Sequence, residues 1–175
     1  MRRPGRLPVV GVVGSGSEPH PELAVPLGRW LAAEGVHLLT GGGGGVMEAV
    51  SRAFAEMPER RGLVLGVLPG DPSSGLAPRG YPNPWVDVAV RTHLPHSGRL
   101  GTDPLSRNHI NVLTADVLVA LPGGAGTASE VTLAVAYGRP VIAFLDSPAG
   151  IPGLPEGIPL APALEDVVAF VRGAL

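Results

Sequence analysis

The sequence predicts an α/β fold, a doubly wound parallel sheet with helices on both faces. Three observations predict it. Short runs of Val, Leu and Ile without polar alternation recur along the chain, as strands buried on both faces require. Between them lie segments with apolar residues at three- and four-residue spacing, the pattern of amphipathic helices. The two kinds of segment alternate, and each crossover in a parallel sheet needs such a helix.

In order, residues 8–14 (PVVGVVG) read as a buried strand that ends in the turn GSGSEP. Residues 21–34 carry helical spacing at Leu23, Leu27, Trp30 and Leu31. A second strand over 36–40 meets GGGGG at 41–45, and a helix over 46–57 follows with Val46, Val50, Ala53, Phe54 and Met57 on one face. Residues 63–68 form a third strand. The segment 69–84 has too many prolines for a helix or a central strand, so it is a long loop, and long loops in compact domains tend to be functional. A fourth strand spans 86–91. Asp103 and Pro104 then supply an N-cap and a first-turn proline for a helix to Thr114, with Leu105, His109 and Val112 inward. A strand over 117–121, a helix over 127–137, a strand over 141–145 and a helix over 164–171 complete the chain.

At 175 residues and 45% hydrophobic, residues 1–175 make one domain, with 1–7 as a flexible arm. The 26 Gly and 20 Pro approach the range of disordered chains, but the apolar residues come in strand-sized runs, which assigns the glycines to turns and ligand loops. The absence of Cys excludes disulfides and thiolate metal sites and points to a reducing compartment. Neither a signal peptide nor an 18-residue apolar run is readable, so the expectation is a cytoplasmic protein with no membrane partner. All 13 basic side chains are Arg. A chain without Lys cannot form the Schiff base of pyridoxal phosphate or complete a Walker loop.

The glycine-rich turns at 14–17, 41–45 and 123–126 each end a strand and open a helix. They should gather outside the carboxyl ends of the strands, where such sheets bind ligands. Glycine lets main chain approach an anion, and unpaired N–H groups at a helix N-terminus attract phosphate. Thr127 and Glu130 also fit a capping box, T-x-x-E. The residues alone leave capping and ligand chemistry both open, just as they leave Arg107 open between a solvated cation and a site residue.

LPGGAGTASE at 121–130 resembles the PGGxGTxxE signature of the LOG ("lonely guy") family of cytokinin riboside 5′-monophosphate phosphoribohydrolases, also labelled lysine-decarboxylase-like. VVGSGS at 12–17 and LLTGGGGGVMEAV at 38–50 resemble two further elements of that family. The resemblance implies a Rossmann-like fold, a homodimer or higher assembly, and hydrolysis of a nucleoside 5′-monophosphate to nucleobase and ribose 5-phosphate, with no cofactor. It implies Arg107 and Glu130 as catalytic residues. Around the phosphate it places Pro122, Gly123, Gly124, Ala125, Gly126 and Thr127, joined by Gly14, Ser15, Gly42, Gly43, Gly44 and Met47. The family's arginine–lysine pair lies 15 residues before the signature proline; here Arg107 keeps that distance from Pro122 and Asn108 follows it. That departure supports an alternative, a carrier protein holding a nucleotide or molybdenum cofactor in the same phosphate cradle.

The remaining constellations are thinner. His93, His96, Asp103 and His109 lack a recognisable ligand set, so no metal is expected. Arg2, Arg3 and Arg6 without interleaved aromatics make a poor nucleic-acid site. The helices at 46–57 and 103–114 carry apolar residues beyond one stripe, Ala49, Ile110 and Leu113 among them, which calls for a further surface from a symmetry mate.

Overall fold

The computed structural model describes residues 5–175. Six parallel strands, β1 (Val9–Val13), β2 (His37–Thr40), β3 (Val64–Leu68), β4 (Val88–Arg91), β5 (Val117–Ala120) and β6 (Val141–Ala143), form one sheet in the order β4-β3-β2-β1-β5-β6. Five helices connect or follow them: α1 (Pro21–Glu34), α2 (Val46–Ala55), α3 (Asn108–Thr114), α4 (Ala125–Ala136) and α5 (Leu164–Ala174). The expected doubly wound Rossmann-like sheet is present. Among the described residues no helix is long and apolar enough to cross a membrane.

The continuous apolar runs are explained by burial on both sides. Every residue of β1 and of β5 is buried. Val10, Val12, Val117 and Val119 face α1, α2 and α5, where Leu27, Leu31, Phe54 and Val171 complete one core. Val9, Val13, Leu118 and Ala120 face α3 and α4, where Val112, Val131 and Ala134 complete the other. Phe54 is the largest fully buried side chain of the first core.

Helix α1 opens with Pro21 in its first turn and stops at Gly35, whose φ of 76° is the left-handed conformation that ends helices. It crosses α2 closely, because a Cβ on Gly28 would come within 2.6 Å of the Val50 carbonyl oxygen and 2.9 Å of the Ala53 Cβ. Val46, Val50 and Phe54 of α2 are thereby buried within the chain, while Ala49 is half-buried and lines a groove between α1 and α2.

Helix α3 begins at Asn108, not at Asp103–Pro104. The Asp103 carboxylate accepts from the Leu105 amide at 2.9 Å and bonds His96 Nδ1 at 2.7 Å, and these bonds hold the carboxyl below its usual range. It ties a loop together instead of capping a helix. Leu105 consequently points out, 48% exposed, while Val112 is buried as expected. At the other end, residues 1–4 of the expected arm lie outside the described residues, and Arg6 pairs with Asp116 at 3.7 Å.

Candidate anion-binding site

The strand order reverses between β1 and β5, so the loops leaving these two strands diverge and open a crevice at their carboxyl ends. A cavity of about 400 Å³ occupies it. Gly14 and Ser15 from the β1 turn, Met47 from α2, and Gly124, Gly126 and Thr127 from the α4 turn line this cavity. Arg107, the residue just before α3, and Glu130 on α4 reach it. The three glycine turns do gather at one edge of the sheet.

Helix α4 starts at Ala125, with Gly124 as N-cap and no side-chain cap. Thr127 is therefore the third helical residue, and the capping-box reading of Thr127 and Glu130 does not hold. The first bond of the helix runs from the Ala128 N–H to the Gly124 carbonyl at 3.1 Å. The amides of Ala125, Gly126 and Thr127 stand ahead of it without backbone partners among the described residues, at the positive end of the helix dipole. Gly123 differs from the expectation, because its amide donates to the Gly150 carbonyl at 3.0 Å. Its value is space: a Cβ there would overlap the Thr127 hydroxyl and lie 2.9 Å from the Ser15 amide nitrogen.

Pro122, Gly123 and Ala125 are not lining residues of this cavity, and neither are Gly42, Gly43 and Gly44. They stand behind it. The Pro122 carbonyl accepts from the Ser15 amide at 2.9 Å, joining the β1 and β5 turns. Gly42 turns with φ of 75°. Asn83 closes over the same loop, donating from its amide to the Gly42 carbonyl at 2.8 Å and from Nδ2 to the Gly43 carbonyl at 2.9 Å.

Arg107 is buried, 6% exposed, which corrects the surface reading left open for it. Its guanidinium lies in the space that a Cβ on Gly41 would need. Nε and Nη1 have no hydrogen-bond partner among the described residues, and no ion pair joins Arg107 to Glu130. A buried cation without a partner carries a desolvation penalty that an anion would relieve. Glu130 is also buried. Burial pushes its carboxyl pKa up, opposed by the positive charge of Arg107 and by the Asn111 Nδ2 that donates to Oε1 at 3.2 Å.

Five lining residues are not among the expected site residues: Gly16, Ser17, Tyr81, Ser97 and Gly98. Asn108, the residue in the lysine position, lines the cavity too and is 3% exposed. Asn111 does not line the cavity but bonds Glu130, and its place one helical turn beyond Arg107 is the spacing that could have revealed it. His96 and His109 take structural partners. His109 bonds the Tyr137 hydroxyl at 2.7 Å through Nδ1 and faces the Asp103 carbonyl at 3.0 Å through Nε2.

The sequence profile of the SLOG cluster4 family matches residues 7–153. The chain belongs to this family. Membership bears out the expected LOG-like kinship. A family relative of uncharacterised role in Archaeoglobus fulgidus is 32% identical over 151 residues, covering 85% of this chain and 87% of that one. Two solved structures resemble this SLOG protein over nearly their whole lengths. The molybdenum cofactor binding protein of Rippkaea orientalis is 31% identical, covering 97% and 98% of the two chains with a TM-score of 0.72. The molybdenum cofactor carrier protein of Chlamydomonas reinhardtii is 31% identical with the same coverage and a TM-score of 0.74.

Proposed function

We propose that this chain binds a phosphorylated small molecule bearing a flat heterocycle and carries it, with a molybdenum-cofactor-type pterin phosphate as cargo. The observation behind the proposal is Arg107, a buried guanidinium with unpaired N–H groups in the same cavity as the free amides of α4. A phosphate there would receive charge-assisted hydrogen bonds from both. The carrier reading draws on Asn108 in the lysine position and on the two cofactor-binding relatives. With no cysteine in the chain, the grip on such cargo runs through phosphate and ring, not through sulfur. A reducing cytoplasm is the setting that suits a cysteine-free chain.

Glu130 favours a second reading, phosphoribohydrolysis. In that reaction water attacks the anomeric carbon of a nucleoside 5′-monophosphate, the N-glycosidic bond breaks, the base leaves with a proton and ribose 5-phosphate remains. A buried carboxylate beside the sugar would stabilise the oxocarbenium-like transition state or orient the water. Incubation with a panel of nucleoside monophosphates, including an N6-modified adenylate, decides between the two. Released base establishes the hydrolase; binding of molybdopterin with no base released from any nucleotide establishes the carrier.

The assembly we propose is a homodimer formed on the face of the sheet that carries α3 and α4. At the β4 end of that face, Val88 and Val90 pair with Leu65 and Val67 of β3 yet stay 43% and 42% exposed. Leu113 on α3 and Val135 on α4 are exposed on the same side at 46% and 53%. A second copy would cover them.

A further inference from the structure

We infer that Tyr81, backed by Met47, is the wall against which the planar ring of the ligand packs. This rests on the proposed phosphate grip and adds the part of the site that recognises the heterocycle. Every lining residue other than Met47 and Tyr81 is glycine or carries a hydroxyl, amide or charged group. A flat heterocycle has only these two side chains for its faces.

The two side chains converge. A Cβ on Gly43 would lie 2.8 Å from the Met47 Cε, the Tyr81 Cζ and the Tyr81 hydroxyl oxygen, so all three meet over this glycine. Met47 Cε is also 3.8 Å from the Cβ position of Gly16 on the β1 turn. On the opposite wall, a Cβ on Gly126 would lie 3.7 Å from the Gly98 Cα, beside the free amides of α4. The cavity thus has a main-chain end suited to an anion and a thioether–aromatic end suited to a π system.

Tyr81 belongs to the proline-rich loop 69–84, and the loop is anchored where it matters. Two residues on, Asn83 is 4% exposed and bonded to the carbonyls of Gly42 and Gly43. These two hydrogen bonds to the glycine turn set the height of the tyrosine over Gly43. Tyr81 is half-buried, with surface left to meet a ligand.

Guanosine 5′-monophosphate is the probe, since guanine presents the same 2-amino-4-oxopyrimidine edge as a pterin; ribose 5-phosphate is its ring-free counterpart. By titration calorimetry the wild-type protein should bind the nucleotide more tightly than the sugar phosphate. Tyr81→Ala should weaken the nucleotide about tenfold, the scale of one lost aromatic–base stack, and leave ribose 5-phosphate unchanged. Tyr81→Phe should restore nucleotide binding, and Tyr81→Leu, which keeps apolar bulk without an aromatic face, should not. Equal loss of both ligands in the leucine variant, or loss of neither, overturns the ring wall and leaves the phosphate grip standing. A wild-type protein that binds neither probe overturns the phosphate grip, and the wall with it.

Discussion

Gly41 and Arg107 share one space: the guanidinium of Arg107 fills the volume in which a side chain on Gly41 would begin. The glycine at the end of β2 thereby seats the cation that α3 presents to the cavity. Gly41→Ala pushes only the tip of a flexible side chain, so the fold should survive. Affinity for guanosine 5′-monophosphate should fall roughly 10- to 150-fold, the scale of a lost hydrogen bond to a charged group. Arg107→Ala should match it, and the double variant should be no worse than either single one. Additive losses measured by calorimetry would separate the two residues.

Arg107 also bears on stability. Its buried Nε and Nη1 lack partners among the described residues, so Arg107→Met should raise the ligand-free melting temperature while weakening phosphate binding, because burying an unpaired charge is unfavourable. Added phosphate should raise the melting temperature of the wild type more than that of the variant. A variant that melts lower than wild type without ligand would show that the cation is already compensated.

Glu130 gives the empty protein a pH dependence. Burial raises its carboxyl pKa above 4.5 in the fold, so the folded state holds that proton more tightly than the unfolded chain. The stabilisation is full below the unfolded pKa and is lost as pH rises through the folded one. Urea melts should therefore show wild type losing ground against Glu130→Gln as pH is raised from about 4 to about 7. A difference that stays constant with pH would refute the assignment.

The dimer is tested at its edge. Val88→Arg combined with Val90→Arg places two charges on the half-exposed face of β4, and Leu113→Glu does the same on α3. Wild type should sediment as a dimer burying more than about 1,000 Å² in total. The charged variants should sediment at the 17.8 kDa of one chain. A wild-type monomer at micromolar concentration would remove the dimer from the account.

The strands were readable because burial on both faces leaves no polar residue in β1 or β5, and α1 because Pro21 and Gly35 mark its two ends. The start of α3 was misread. Asp103 and Pro104 have the composition of a helix start, but the carboxylate bonds His96 instead, across a loop that spacing does not reveal. The burial of Arg107 escaped for a related reason, since helical periodicity describes a residue's angle and not what the neighbouring turn leaves empty. Gly123 looked like a phosphate donor until the Gly150 carbonyl took its amide. Tyr81 sits in a proline-rich loop with no period at all, and the Asn83 bonds that tie that loop to the glycine turn leave no mark in the spacing.

The amide half of this anion grip, unlike Arg107, has no side chain to mutate. Substitutions along α4 alter its neighbours and leave the N–H groups at its start in place, unless a proline in the first turn removes one. Discrimination between ligands is delegated to the loop that carries Tyr81, attached to the sheet largely through one asparagine. Such a loop can be exchanged or resequenced around Asn83 without disturbing the strands beneath. The arrangement separates retention from choice, so redirecting this protein to a different phosphorylated heterocycle is a matter of loop grafting, with the rest of the chain left as it stands.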